Sequence, residues 1–179
     1  MTSLLARVIG TAALVLAGSA AMAQQATNQV AVMTDWSVFT EPKEGKPKEC
    51  WGVSAPKSSE AFKGGKPASG VSRSDILLWI TYRAGGGGKG EVSFTGGYPF
   101  KEGSDVSVVI DGSTTISMFT QGETAWTDNA DKDAELIAAL KKGTTAVFTG
   151  VSGRGTETRD TFSLRGFTAA MNDAAKRCN

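Results

Sequence analysis

The stretch Ser152–Cys178, SGRGTETRDTFSLRGFTAAMNDAAKRC, decides the fold. It opens in a polar, glycine-bearing turn, runs through a short strand over Asp160 to Leu164 and ends in a helix. In that helix Phe167, Ala170, Met171, Ala174, Ala175 and Cys178 recur at offsets of 0, 3, 4, 7, 8 and 11, the spacing of one apolar helical face. Cys178 therefore belongs to the packed side. The other cysteine of the chain is Cys50, so this stretch predicts a tie between the tail and an early segment.

The amino-terminal end sets the compartment in which such a tie can form. Arg7 precedes an apolar run from Val8 to Ala17, and Ala21-Met22-Ala23 supplies small residues for cleavage, the pattern of a secretory signal peptide over residues 1–23. The run is too short for a membrane span, and no later window approaches the roughly 20 apolar residues that a spanning helix needs. Cleavage leaves about 156 residues, the length of one domain, predicted over residues 24–179. The full chain carries 19 Lys and Arg against 18 Asp and Glu, and losing Arg7 brings the mature balance to neutrality. Neutrality argues against nucleic acid as a partner, because such binders gain their affinity by neutralising phosphates.

Export also argues for oxidised sulfur: two cysteines in an oxidising compartment predict a Cys50–Cys178 disulfide. The other reading, a reactive thiol, lacks the usual base, since the chain has no histidine. A bridge closing about 129 residues stabilises by at most about 5 kcal/mol in the chain-entropy model.

Between these ends the periodicity is mostly two. Val30 to Phe39 reads as one half-buried strand, Glu41 to Lys48 as an exposed turn with two prolines, and Cys50, Trp51 and Val53 as a second strand. Lys57 to Ser72 lacks an apolar period and reads as the longest loop. Ser74 to Arg83 (SDILLWITYR) has apolar residues in both registers, which predicts a central strand covered on both sides. Glu91 to Thr95 alternates, and Gly96-Gly97-Tyr98-Pro99-Phe100 forms a turn. Asp105 to Ile110 and Thr114 to Phe119 alternate around Asp111-Gly112-Ser113, a hairpin signal. Asp128 to Lys142 reads as a helix, with acids at its start, Lys141 and Lys142 at its end, and Ala134, Ile137 and Leu140 beside Leu136 as its buried stripe. Thr144 to Val151 returns to strand. The sum is an antiparallel β-sandwich of about eight to ten short strands with two helices, the second linked to an early strand.

Chemical candidates are few. Without histidine the chain loses the commonest general base and metal ligand together, and no spacing matches a zinc or calcium site, so neither metal nor cofactor is expected. Gly85 to Gly90 (GGGGKG) formally matches G-x-G-x-x-G but leads into a strand rather than a helix, and Lys89 is followed by Gly90 where a phosphate loop needs Ser or Thr. The densest polar group is Ser152, Arg154, Thr156, Thr158, Arg159 and Asp160. Its arginines and hydroxyls could clasp an anionic group; the reading preferred here is an Asp-Arg pair and hydroxyl bonds that fix a turn. Tyr98, Phe100 and Trp126 could form a sugar or peptide platform, but aromatics flanking strands more often cap a core.

Cys50-Trp51, Gly97-Tyr98-Pro99-Phe100, Ala125-Trp126, Ser152-Gly153-Arg154-Gly155-Thr156 with Thr158 and Asp160, Ser163-Leu164, Gly166-Phe167, Ala170 and Cys178 together resemble the invasion-associated locus B family from about Trp36 to Cys178. The resemblance implies an exported protein of Gram-negative bacteria with a β-sandwich core, periplasmic or at the outer surface, and in some members a role in entry into host cells. It carries over no catalytic residues. The function expected is a non-enzymatic module binding an envelope component or partner protein. The alternatives are a cell-wall or polysaccharide hydrolase with a carboxylate pair, and a purely structural or chaperone-like protein. Neither a particular partner nor an oligomeric state follows from the sequence.

Overall fold

The computed structural model describes residues 28–179, so the expected signal peptide lies outside the described residues. Alternating side chains make the chain mostly strand: β1 (Gln29–Met33), β2 (Trp36–Glu41), β3 (Glu49–Ser54), β4 (Ser58–Lys63), β5 (Lys66–Pro67), β6 (Leu77–Arg83), β7 (Gly90–Thr95), β8 (Asp105–Ile110), β9 (Thr114–Gln121) and β10 (Thr124–Trp126). Helix α1 (Ala130–Lys142), β11 (Thr145–Val151), β12 (Thr156–Ser163) and helix α2 (Phe167–Arg177) follow. The strands pair antiparallel in the order β1-β2-β3-β6-β7-β10-β9-β8-β11-β12-β4-β5.

This one hydrogen-bonded sheet folds back on itself as a sandwich. Phe94 of β7 meets Phe148 of β11 at 4.7 Å and Phe162 of β12 at 6.1 Å between ring centroids, so the inner faces of distant strands share one core. Both helices lie against that inner side. In α1, Asn129 caps the first turn by accepting from the Asp131 and Lys132 amides, and acids at the start and lysines at the end suit the helix dipole. Helix α2 buries Phe167, Ala170, Met171 and Ala174. It passes so close to β3 that a Cβ at Gly52 would fall 2.1 Å from Met171 Cε. Cys178 bonds Cys50, with Cα atoms 5.9 Å apart. Trp36 Nε1 donates to the Ser163 carbonyl at 3.0 Å, closing β2 on the end of β12.

Several expectations need correction. Val30 to Phe39 is not one strand: it turns at Thr34, which has φ +59°, so β1 and β2 form a hairpin and Val32 is exposed. The expected loop over Lys57 to Ser72 contains β4 and β5, because β4 adds to the edge of β12 through backbone bonds that need no apolar alternation. β12 starts earlier, running Thr156–Ser163 rather than Asp160 to Leu164, and the described residues form twelve strands rather than eight to ten. Ala134 is exposed; its place in the buried stripe of α1 is taken by Asp133, beside Leu136 and Leu140. β6 is fully buried on one face, through Leu78, Ile80 and Tyr82, while Leu77, Trp79 and Thr81 on the other face stay half-buried.

Candidate functional site

The polar cluster predicted around the last turn lies at one end of the sandwich, and the structure divides it by role. Ser152 to Thr156 is a tight turn between β11 and β12: the Gly155 amide donates to the Ser152 carbonyl at 2.8 Å, and the Thr156 amide donates to Ser152 Oγ at 3.1 Å. The Gly153 amide donates to the Pro99 carbonyl at 3.0 Å, and Phe100 bridges to Ser152, so this turn and the Tyr98-Pro99-Phe100 loop are fixed to each other. Arg154, at the tip, is exposed.

Further along β12, Thr158, Asp160 and Phe162 point inward. Asp160 is fully buried, and its partner is neither Arg154 nor Arg159 but Arg73. The Arg73 guanidinium donates to both carboxylate oxygens, at 2.7 and 2.5 Å, and through Nε to the Gly96 carbonyl at 2.7 Å. This two-pronged geometry is the strongest arrangement open to a guanidinium and a carboxylate. The same guanidinium lies 5.1 Å from the centre of the Tyr98 ring, and the Tyr98 hydroxyl shares a 2.6 Å hydrogen bond with Thr158 Oγ1. Burial pushes the Tyr98 phenol above its usual pKa, only partly countered by the Thr158 bond, so it is neutral at physiological pH. Arg159 faces outward, paired with Glu157 and lying over the Phe62 ring.

Above this braced floor opens a cavity of about 610 Å³, with Lys63, the Ala68 to Ser72 segment, Gly97 to Pro99, Glu123, Ser152 to Arg154, Thr156 and Thr158 around it. One wall depends on Gly97, which has φ +72° and passes Ser74 so closely that a Cβ would lie 2.5 Å from its carbonyl oxygen. Neither Lys63 nor Arg154 is in a salt bridge among the described residues, so two cations face the opening against one acid, Glu123.

The predicted aromatic trio does not form one surface. Phe100 is in the core, edge-on to Tyr98 at 5.1 Å; Tyr98 lines the cavity; Trp126 lies on the outer face of β10, 5.9 Å from Phe119. Sequence reasoning missed Arg73 and Lys63, both in or beside the supposed loop. A signal for Arg73 was present, since Asp160 falls in the inward register of β12 and a buried carboxylate requires a cation.

Asp105, Asp111, Glu135 and Asp160 each have a hydrogen-bond or ion-pair partner. Asp105 accepts from Ser117, and Asp160 is held by Arg73. Asp111 and Glu135 border one shallow hollow, but Asp111 accepts from the Thr144 and Thr145 amides and Glu135 pairs with Lys132. Among the described residues no group of three or more Cys, Asp or Glu side chains could hold a metal ion, and no helix is long and apolar enough to cross a membrane. The cysteines, being bonded, offer no thiolate.

Fold and site together define a disulfide-clasped antiparallel β-sandwich with a braced polar cavity at one end. The family model described as "Invasion associated locus B (IalB) protein" matches residues 36–175, and the chain belongs to that family. Among solved structures, the crystal structure of invasion associated protein B from Bartonella henselae is similar in fold, with a TM-score of 0.53 at 15% identity, covering 82% of this chain and 95% of that one. No curated protein sequence matches the chain.

Proposed function

We propose that this protein is an exported, non-enzymatic binding module of the bacterial envelope, periplasmic or surface-facing, that captures an anionic group of an envelope component or partner protein in the Tyr98–Arg154 cavity. One observation carries the reading: Lys63 and Arg154 have no carboxylate partner among the described residues and line a cavity whose floor is immobilised by the Arg73–Asp160 and Tyr98–Thr158 bonds. Two cations on a rigid rim select an anion without having to be ordered first. Family membership and the disulfide fit an extracytoplasmic setting. The association with invasion in the family's name is in keeping with a protein that acts by contact.

The test is a crosslinking pull-down in the native envelope with wild-type protein and with a Lys63→Glu, Arg154→Glu double variant. Both residues are on the surface, so the variant should melt within a few degrees of wild type. The expected outcome is a reproducible partner captured by wild type and lost from the variant. Capture that survives the double charge reversal, or no reproducible capture at all, would overturn the reading.

A further inference from the structure

A different part of the molecule carries a second ligand surface, independent of the cavity reading. The chain has four tryptophans. Trp36 is in the core; Trp51, Trp79 and Trp126 all sit on the outer register of neighbouring strands. Both helices pack on the inner side, so neither covers this outer face of β2, β3, β6, β7, β10 and β9.

The register arranges that face in rows. One row runs Val53, Trp79, Ser93, Trp126, Phe119 and Asp105 across six strands. The adjacent row runs Phe39, Trp51, Thr81 and Glu91. Phe39 and Trp51 lie 5.6 Å apart with their planes 6° from parallel. Ser93 is only 4% exposed although no helix lies over it, because Trp79 and Trp126 flank it from the strands on either side. The two indoles are thus about two strand spacings apart, roughly 10 Å. A shallow groove of about 440 Å³ runs along Phe39, Trp51 and Trp79. At its margin Arg83 joins Glu49 and Glu91 in an exposed network of planar donors and acceptors.

The residues between the aromatics decide the occupant. The accessible ones are a hydroxyl and a charged side chain (Thr81, Glu91), with Val53 and Leu77 the aliphatic members of the groove. A lipid tail or the dry centre of a protein interface would desolvate those polar groups without replacing their hydrogen bonds. A pyranose ring would not: its axial C–H face stacks on an aromatic ring while its equatorial hydroxyls exchange hydrogen bonds at the edge. In a β-1,4-linked chain alternate rings turn over, so like faces recur every second ring, a span close to the Trp79–Trp126 separation. We propose that this outer face binds a linear β-1,4-linked glycan laid across the strands, with Trp79 and Trp126 as the stacking platforms and the Glu49–Arg83–Glu91 network bonding to hydroxyls.

The test uses full-length protein and three tetrasaccharides: β-1,4-linked N-acetylglucosamine, β-1,4-linked glucose and, for shape, α-1,4-linked glucose. Binding is read by tryptophan fluorescence and by amide chemical shifts. Expected are saturable binding of at least one β-1,4 chain at submillimolar to millimolar concentration, shifts confined to β3, β6, β7 and β10, and affinity reduced at least tenfold by Trp79→Ala or Trp126→Ala. Both variants should keep the wild-type amide spectrum away from the replaced residue, and Trp126→Phe should restore part of the affinity. No binding of either β-1,4 chain, equal binding of the α-linked chain, shifts centred on Tyr98 and Arg154, or concentration-dependent dimerisation abolished by Trp79→Ala would each overturn the proposal.

Discussion

Two buried carboxylates with opposite environments show how single residues hold this molecule together. Asp160 sits fully buried against Arg73, whose side chain is only 9% exposed, so each charge depends on the other for the hydration both have lost. Asp160→Ala strands the guanidinium and should cost about 3–5 kcal/mol in urea unfolding, while an Arg73→Met, Asp160→Leu pair should recover much of that loss, because the attraction of a buried pair mainly offsets its own desolvation. Asp133, on α1, accepts from the Val92 amide and from Thr127 Oγ1, both at 2.8 Å, and so pins the helix to β7. Burial raises its pKa above the ordinary carboxylate value of 3.8, more than those two bonds lower it. The folded state then holds this proton more tightly than the unfolded chain, so the group's contribution to stability falls as pH rises from about 4 through the raised value and is level above it. Asp133→Asn keeps an acceptor oxygen and should flatten that part of the pH–stability curve. Asp133→Ala removes the acceptor of the Val92 amide and leaves Thr127 Oγ1 only its 3.4 Å contact with the Asn129 carbonyl, and should cost about 1–3 kcal/mol at every pH.

Elements were legible where they announce themselves through side chains and illegible where they rest on backbone. The alternation of Asp105 to Ile110 against Thr114 to Phe119, the charge gradient of α1 and the apolar face of α2 each specify their element locally, and each is where the sequence puts it within a few residues. β4 is different: Ser58–Lys63 carries little apolar signal because it lies next to the sheet's edge, held by backbone bonds to β12 and, at its end, to the two-residue β5. With β4 hidden, the cavity could be read only from its β12 side, and Lys63 and Arg73 went unseen. The β1–β2 turn was hidden for another reason, since shared parity across Thr34 imitates a continuous strand. The entry into α2 yields a prediction at this scale. Gly166 has φ +90°, and a Cβ there would stand 1.8 Å from the Met33 carbonyl oxygen, a backbone atom that cannot swing aside. Gly166→Ala therefore combines left-handed strain with a forced separation of α2 from β1, and thermal melts should show a loss larger than the roughly 1 kcal/mol typical of point changes.

For the whole molecule the decisive question is what the Cys50–Cys178 bond does, since it spans 128 residues and links the last helix to the third strand. Two mechanisms predict different behaviour on reduction. If the bond holds α2 in place, a Cys50→Ser, Cys178→Ser variant should show α2 loosening below the main transition, with early loss of the near-ultraviolet signal from Trp36, whose ring meets Phe167 edge-on at 4.8 Å. If it acts by restricting the unfolded chain, the native state should be unchanged and only the transition should move. The packing favours the second mechanism. Phe167, Ala170, Met171 and Ala174 are buried without help from the sulfur, and Gly52 lets the helix settle directly on β3. The expected result is therefore a single cooperative transition with native near-ultraviolet signal up to its onset, a loss of about 2–5 kcal/mol, and a melting point lower by roughly 5–15 °C for a domain of this size. The denaturant slope should rise, because the unclasped unfolded chain exposes more surface. An unchanged slope with a pre-transition in the tryptophan signal would assign the bond to the native state instead.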